Sequence, residues 1–262
     1  MAANYYLVEV GFDPVKYAEA LKKIVTRGVE RKYYRVARGG RWYGGIATAD
    51  CVGCNLKCVF CWSGAPRDYP EKIGRFYAPE YIFMKLDRCA LRRGYRQLRV
   101  SGNEPTIGRE HLIRLLELVE ESGKYLFILE TNGILIGYDK SYARDLSRFS
   151  CIHVRVSIKG CTPQEFSMLT GAEPEFFEYQ LGALRNLLDY GVECHPAVML
   201  SFSTRKSLEY LLNRLKEIDK VLVREFEEEY VFEYPHVMER LRRAGILPKV
   251  SFKPNSIPDE LI

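Results

Sequence analysis

Two periods alternate along the chain. The stretches 97–100, 125–130, 151–158, 193–200 and 221–226 are short and rich in Val, Ile and Leu, the composition of strands buried beneath helices. Between them, 79–93, 109–122, 142–149, 163–169, 175–190 and 204–218 carry apolar residues at helical spacing. In 109–122, Leu112, Leu115, Leu116 and Val119 form one stripe. The segment 42–48 reads as the first core strand. Ahead of it, 4–12 alternates as a strand and 14–25 has helical spacing through Val15, Ala18, Leu21 and Ile24. A polar, irregular stretch covers 67–77. A helix over 234–245 and a Pro-containing tail over 249–262, which would cover one rim, close the chain.

Strands that alternate with helices pair in parallel through right-handed crossovers. Six strand units fall short of a closed eight-fold barrel. The expected fold is therefore α/β, a partial (β/α)6 barrel with short extensions. Residues 1–41 form an N-terminal extension of strand, helix and basic segment. Residues 42–226 form the core, and 227–262 a C-terminal helix and tail. Ligands in such sheets sit at the carboxyl ends of the strands. Neither an internal repeat nor a low-complexity segment interrupts the pattern.

The end of the first core strand runs into the densest chemistry of the chain, Asp-Cys-Val-Gly-Cys-Asn-Leu-Lys-Cys-Val-Phe-Cys-Trp over 50–62. Four of the eight cysteines fall here, and Cys54, Cys58 and Cys61 read C-x3-C-x2-C. The spacing marks a metal site. Structural zinc sites usually separate two Cys pairs by roughly 15–20 residues, whereas only Asn55, Leu56 and Lys57 separate the pairs here. A ferredoxin-type run needs C-x2-C-x2-C and a remote Cys-Pro, which is absent. Disulfides do not fit a chain without a secretory signal. Cys51 stands outside the triplet and reads as a small buried thiol.

The triplet resembles the cluster loop of the radical S-adenosylmethionine (radical SAM) superfamily. That resemblance implies a 4Fe–4S cluster held at Cys54, Cys58 and Cys61. The fourth iron is left for the amino and carboxylate groups of S-adenosylmethionine. It implies reductive cleavage to a 5′-deoxyadenosyl radical, and an open partial barrel around the site.

Further residues carry the resemblance. Ser101-Gly-Asn-Glu-Pro105 is similar to the Gly-Gly-Glu-Pro stretch that holds the methionine ammonium, with Gly102 and Glu104 matching and Asn103 in place of a second Gly. Glu130-Thr-Asn-Gly133 resembles the Thr-Asn-Gly of glycyl-radical activating enzymes, which assigns Thr131 and Asn132 to cofactor or substrate; Asn-Gly is also a plain turn signal. Those enzymes carry Asp-x-Lys at the next strand end; here Ser157 and Lys159 occupy the two positions and face one way. Cys161, just beyond, is a candidate second thiol in catalysis. His195 reads as a satisfied core or rim histidine, Arg224 and Glu225 as a surface charge pair, and Cys151 and Cys194 as small buried hydrophobes.

Charge and length alter the picture little. A net charge of +5 permits an acidic partner without demanding one. No apolar run approaches a membrane span of roughly 18 residues. Eight cysteines without an export signal imply a reducing cytoplasm. The basic stretch 27–41, with Tyr33 and Tyr34 between its arginines, reads as a solvated face, or as an RNA-contacting edge. The expected function is activase-like hydrogen abstraction from a protein or other bulky substrate, with ferredoxin or flavodoxin as electron donor. The alternatives are a wyosine-type tRNA-modifying enzyme, to which Cys-Val-Phe-Cys-Trp is similar, and a non-catalytic iron–sulfur or zinc protein.

Overall fold

A computed structural model describes residues 11–258. Its sheet is built on seven strands, β1 (Glu30–Gly40), β2 (Ile46–Cys51), β3 (Gln97–Ser101), β4 (Leu126–Thr131), β5 (Ile152–Ile158), β6 (Cys194–Met199) and β7 (Glu227–Glu229). They lie side by side in chain order and the ends do not pair, so the barrel is open. From β2 to β7 every pairing is parallel; β1 joins β2 antiparallel at the edge. Two short strands, Thr26–Arg27 and Arg75–Tyr77, flank β1.

The period of two gives the sheet two unlike faces. Leu98, Val100, Phe127, Leu129, Val154, Val156 and Ile158 point outward into the main apolar core. Helices Pro79–Arg93, Arg109–Ser122, Phe177–Asp189 and Arg205–Ile218 cover that face with Leu86, Leu115, Leu184 and Leu211. Most inward positions are polar, among them Thr48, Asp50, Arg99, Ser101, Glu130, Arg155 and Ser157, with Ile128, Ala197 and Met199 between them.

The sequence reading holds for helices 14–25, 79–93 and 109–122 to the residue. Elsewhere the chain departs from it for identifiable reasons. The sixth strand is not 221–226. Asp219 accepts the Val221 amide at 2.8 Å and starts a helical turn, Val221–Arg224, that buries Leu222. The strand follows at Glu227–Glu229, where Arg155 neutralises Glu227 and Glu229 on the inner face. The first parallel strand begins at Ile46 rather than 42. Trp42–Gly44 is a tight turn in which Tyr43 holds φ 55°. The helix expected at 142–149 runs Lys140–Leu146, preceded by an unexpected turn, Ile134–Tyr138. The irregular stretch 67–77 contains the Arg75–Tyr77 strand. The strand expected at 4–12 lies mostly outside the described residues; Phe12 bridges Ala172.

The basic stretch 27–41 is not a solvated face throughout. It forms most of β1, and Arg31 is 1% exposed, donating to the Val25 and Glu104 carbonyls. Lys32 donates to the carbonyls of Pro70 and Glu71, and Arg38 grips Asp50 through two bonds. The sheet thus extends past the 42–226 core on both sides, through β1 and β7. At the C-terminus, helix Pro235–Arg243 follows, and Ser251–Phe252 pairs with Val231–Phe232.

One close approach fixes how the outer helices seat. A Cβ at Gly137 would sit 1.9 Å from the Tyr179 carbonyl oxygen of helix Phe177–Asp189. Gly137→Ala should therefore destabilise the fold by about 1–3 kcal/mol through overpacking. Thermal unfolding measures it, and an unchanged melting temperature would mean that the helices do not approach so closely.

Candidate active site

The carboxyl ends of the parallel strands surround a cavity of about 1080 Å³. The loop after β2 supplies Cys54, Cys58, Phe60, Cys61 and Trp62 to its wall. The loop after β3 supplies Gly102, Asn103 and Glu104; the ends of β4 and β5 supply Thr131, Asn132, Ser157 and Lys159. Every one of the ten positions singled out for cluster or cofactor therefore faces one space.

Glu104 ties three of these loops together. It is 2% exposed, and its carboxylate accepts four hydrogen bonds. Oε1 takes the Thr106 amide at 3.2 Å, the Thr106 hydroxyl at 2.6 Å and the Thr131 hydroxyl at 2.7 Å; Oε2 takes the Asn132 amide at 2.8 Å. The Glu104 amide donates to the Gly53 carbonyl, inside the cysteine loop.

Two asparagines complete the bracket. Asn103 Oδ1 accepts from the Gly53 amide at 2.9 Å while its Nδ2 donates to the Ser63 carbonyl at 3.1 Å. Asn132 Nδ2 donates to Asn55 Oδ1 at 2.8 Å and lies 3.8 Å from Cys54 Sγ. The side chain at 103 that displaces a second glycine thus fastens both ends of the cysteine loop. Gly102 itself is required: at φ 90° a Cβ there would lie 2.9 Å from the Asp50 Cβ.

The chemistry of the donor set fits an iron–sulfur cluster. Burial pushes the Cys54 thiol well up and the Cys58 thiol up to about 11, so neither ionises without a cation to hold it. Among the described residues no three His, Cys, Asp or Glu side chains converge on a single-ion site. Cys54, Cys58 and Cys61, three thiols on one loop facing one cavity, would supply one thiolate each to such a cluster. Lys159 faces these thiols, and its ammonium bonds the Ser157 hydroxyl and lies 3.8 Å from Glu229. Ser157 in turn donates to Glu229 at 2.6 Å.

Cys161 is not part of this wall. It is fully buried, and burial pushes its thiol up to about 12. Cys51 is fully buried in the main core. Arg224 and Glu225 pair at 2.9 Å on the surface, and His195 is satisfied on both ring nitrogens.

Residues that the sequence reading passed over fill the floor and far wall. Arg99 binds Glu130 at 2.5 Å, and Ser101 donates to the same carboxylate. Arg155 binds Glu227 at 2.6 Å and Glu229 at 2.9 Å. Trp42, Tyr43, Phe226 and the stretch 230–237 close the opposite side, with Trp42 stacked on Phe232. The signal for the first group lay in the period of two, which places Arg99, Glu130 and Arg155 on the same face as Ser101 and Ser157.

The family model of the radical SAM superfamily matches residues 50–215. The chain belongs to that superfamily. Its members use a 4Fe–4S cluster and S-adenosylmethionine. Among curated relatives, a probable GTP 3′,8-cyclase of Methanococcus vannielii is 30% identical over 122 residues, 47% of this chain and 38% of that protein. A second, from Pyrobaculum aerophilum, is 29% identical over 141 residues, 53% of this chain and 42% of that protein. The matches span less than half the length of these relatives. Among solved structures, Streptococcus suis SuiB bound to S-adenosylmethionine superposes with a TM-score of 0.57 at 20% identity, over 74% of this chain and 44% of that one. A spore photoproduct lyase mutant gives 0.51 at 11% identity, over 76% and 60%. At those identities the likeness shows the radical SAM fold, an open and mostly parallel α/β sheet.

The bracket yields a test. Asn132→Ala removes the side-chain bond to Asn55 and the contact with Cys54, and should weaken iron retention about ten- to a hundredfold, as loss of a partner behind a metal ligand does. Iron loss to a chelator after anaerobic reconstitution measures it. Retention equal to wild type would make Asn132 a turn residue only.

Proposed function

We propose that this chain holds a 4Fe–4S cluster at Cys54, Cys58 and Cys61 and uses S-adenosylmethionine to take hydrogen from a substrate seated deeper in the cavity. The convergence of ten candidate residues on one cavity supports this reading. When bound, the cluster supplies an electron, drawn from a donor such as ferredoxin or flavodoxin, that cleaves the sulfonium to methionine and a 5′-deoxyadenosyl radical.

The chain's own residues hold the reactants. Lys159, steered by Ser157 and Glu229, offers its ammonium to the methionine carboxylate. Gly102 lets backbone approach the methionine, and the Glu104 carboxylate keeps Thr131 and Asn132 at the rim beside it. Phe60 and Met199 shield the reacting end from water.

For the substrate we favour an activase-like reading, in which a protein or other bulky partner presents one group to the cavity. The charge balance of the wall supports it. Arg38, Arg99, Arg155 and Lys159 each have a carboxylate partner, respectively Asp50, Glu130, Glu227 with Glu229, and Glu229. A nucleoside triphosphate would have to displace those carboxylates to reach these four cations; Arg35, half-exposed in the same wall and 3.7 Å from Asp50, is the more open charge. The names of the curated relatives favour the second reading, a nucleotide substrate. Engagement of Arg31, Lys32 and Arg38 inside the fold counts against an RNA-contacting edge.

Reduced with dithionite and given S-adenosylmethionine without oxygen, the reconstituted protein should form 5′-deoxyadenosine, and Cys58→Ala should form none. Chromatography reads the product; a fully iron-loaded protein that binds S-adenosylmethionine yet forms none would point to a non-catalytic cluster protein. Lys159→Ala should weaken S-adenosylmethionine binding about ten- to a hundredfold, the effect of losing a hydrogen bond to a charged group of roughly 1.5–3 kcal/mol. Unchanged affinity would remove Lys159 from the cofactor site. Adding GTP should leave the rate of 5′-deoxyadenosine formation unchanged; stimulation would favour the nucleotide reading.

A further inference from the structure

A second line of titratable groups runs along the inner face of the sheet, away from the cysteine loop. It starts in the cavity at Glu227. Glu227 Oε2 lies 2.8 Å from His195 Nε2. His195 Nδ1 lies 2.6 Å from His153 Nε2. His153 Nδ1 lies 3.7 Å from Glu193 Oε2, and the Glu193 side chain is 82% exposed. Glu193 precedes β6, so the line ends at solvent by the amino ends of the strands.

With both imidazoles neutral, the contacts set where the hydrogens sit. Arg155 donates to both oxygens of Glu227, at 2.9 and 2.6 Å. Burial pushes this carboxyl up, but the bonds from His195 and Arg155 outweigh it and hold the group at about 2, so Glu227 is an acceptor. His195 Nε2 must then carry the hydrogen it donates. In a neutral His195, Nδ1 is an acceptor, so His153 Nε2 must donate to it. Burial first, and then the neighbouring His195, hold His153 below the ordinary imidazole range, against the pull of Glu193 and Glu225. A neutral His153 leaves Nδ1 as an acceptor on the solvent side. Both hydrogen bonds, from His153 to His195 and from His195 to Glu227, then point inward, in one direction.

We propose that His153, His195 and Glu227 form a proton path from solvent to the cavity. A proton from water adds to His153 Nδ1, and the Nε2 proton of His153 passes to His195 Nδ1. The Nε2 proton of His195 passes to Glu227, which gives it to water or to a basic atom in the cavity. One proton enters, one leaves, and both imidazoles end neutral in the opposite tautomer; the reverse sequence carries a proton out. Arg155 keeps its protons throughout and acts by positioning Glu227. The use of the delivered proton rests on the reading of the cavity given above. The path itself does not, and its test needs neither cluster nor substrate.

The test follows the hydrogen on His195 Nε2 in protein labelled with nitrogen-15 at histidine. His153→Gln keeps an N–H that can donate to His195 Nδ1 but has no second nitrogen to take up a proton. Exchange of the His195 hydrogen with water should slow by about a hundredfold, the low end of what a positioned proton carrier contributes. A merely structural His153 would leave the rate as in wild type, and an unchanged rate in a variant with the wild-type melting temperature overturns the proposal. The wild-type protein gives an independent reading through its nitrogen chemical shifts. At neutral pH both imidazoles should carry hydrogen on Nε2; hydrogen on His153 Nδ1 with a bare Nε2 would break the line and overturn the proposal without any variant.

Discussion

Glu104 is a carboxylate with almost no contact with water, and a buried carboxylate is tolerable only if its lone pairs are met. Here four donors meet them, from Thr106, Thr131 and Asn132. Those donors belong to the loops after β3 and β4, so the requirement to satisfy one charge sets the distance between two strand ends. The same residue's amide reaches Gly53, which brings the cysteine loop into the arrangement. The cysteines can be spaced for a cluster because the loop that bears them is fastened at Gly53, Asn55 and Ser63 rather than left to its own turn preferences.

Below this bracket the inner face of the sheet obeys the same rule at larger scale. Arg99, Arg155 and Lys159 sit where an eight-stranded barrel would hold packed aliphatic side chains. Each requires a carboxylate, and Glu130, Glu227 and Glu229 supply them. This explains why a run of three glutamates serves as the last strand. Its β propensity is poor, but its alternate side chains neutralise Arg155 and the Lys159 ammonium while the backbone pairs with β6. An open sheet lined with compensated charge keeps polar side chains facing the cavity, which a packed core forbids.

Much of this was legible in the sequence, and the parts that were not share a cause. Regular elements with strong periodicity, such as 79–93 and 109–122, were read to the residue because local pattern and tertiary role agree. The cysteine triplet, Gly102, Glu104 and Lys159 stood out because their residue types and spacing are unusual. The last strand was misplaced because the apolar Val-Leu-Val of 221–223 looks like a strand and Glu-Glu-Glu does not; the deciding partners lie on β5 and β6, distant in sequence. Tyr43 escaped notice because its turn requires a positive φ that a tyrosine seldom adopts. The bracketing roles of Asn103 and Asn132 depend on contacts across 50 and 77 residues, which no local window contains.

The C-terminal segment joins the two halves of the cavity. Val231, Val237 and Leu241 share a small apolar core with Val59 of the cysteine loop and Met199 of β6, and Phe60 packs against it. Arg240 donates to the Cys61 carbonyl at 2.6 Å, and His236 donates to the Trp62 carbonyl at 2.9 Å. The stretch that closes the far wall, 230–237, is therefore continuous with the helix that holds the cysteine loop from outside. Movement of this segment would strain those two hydrogen bonds. The far wall and the outer support of the cysteine loop are thereby one piece of chain, even though the bonded residues lie 174 and 179 positions apart.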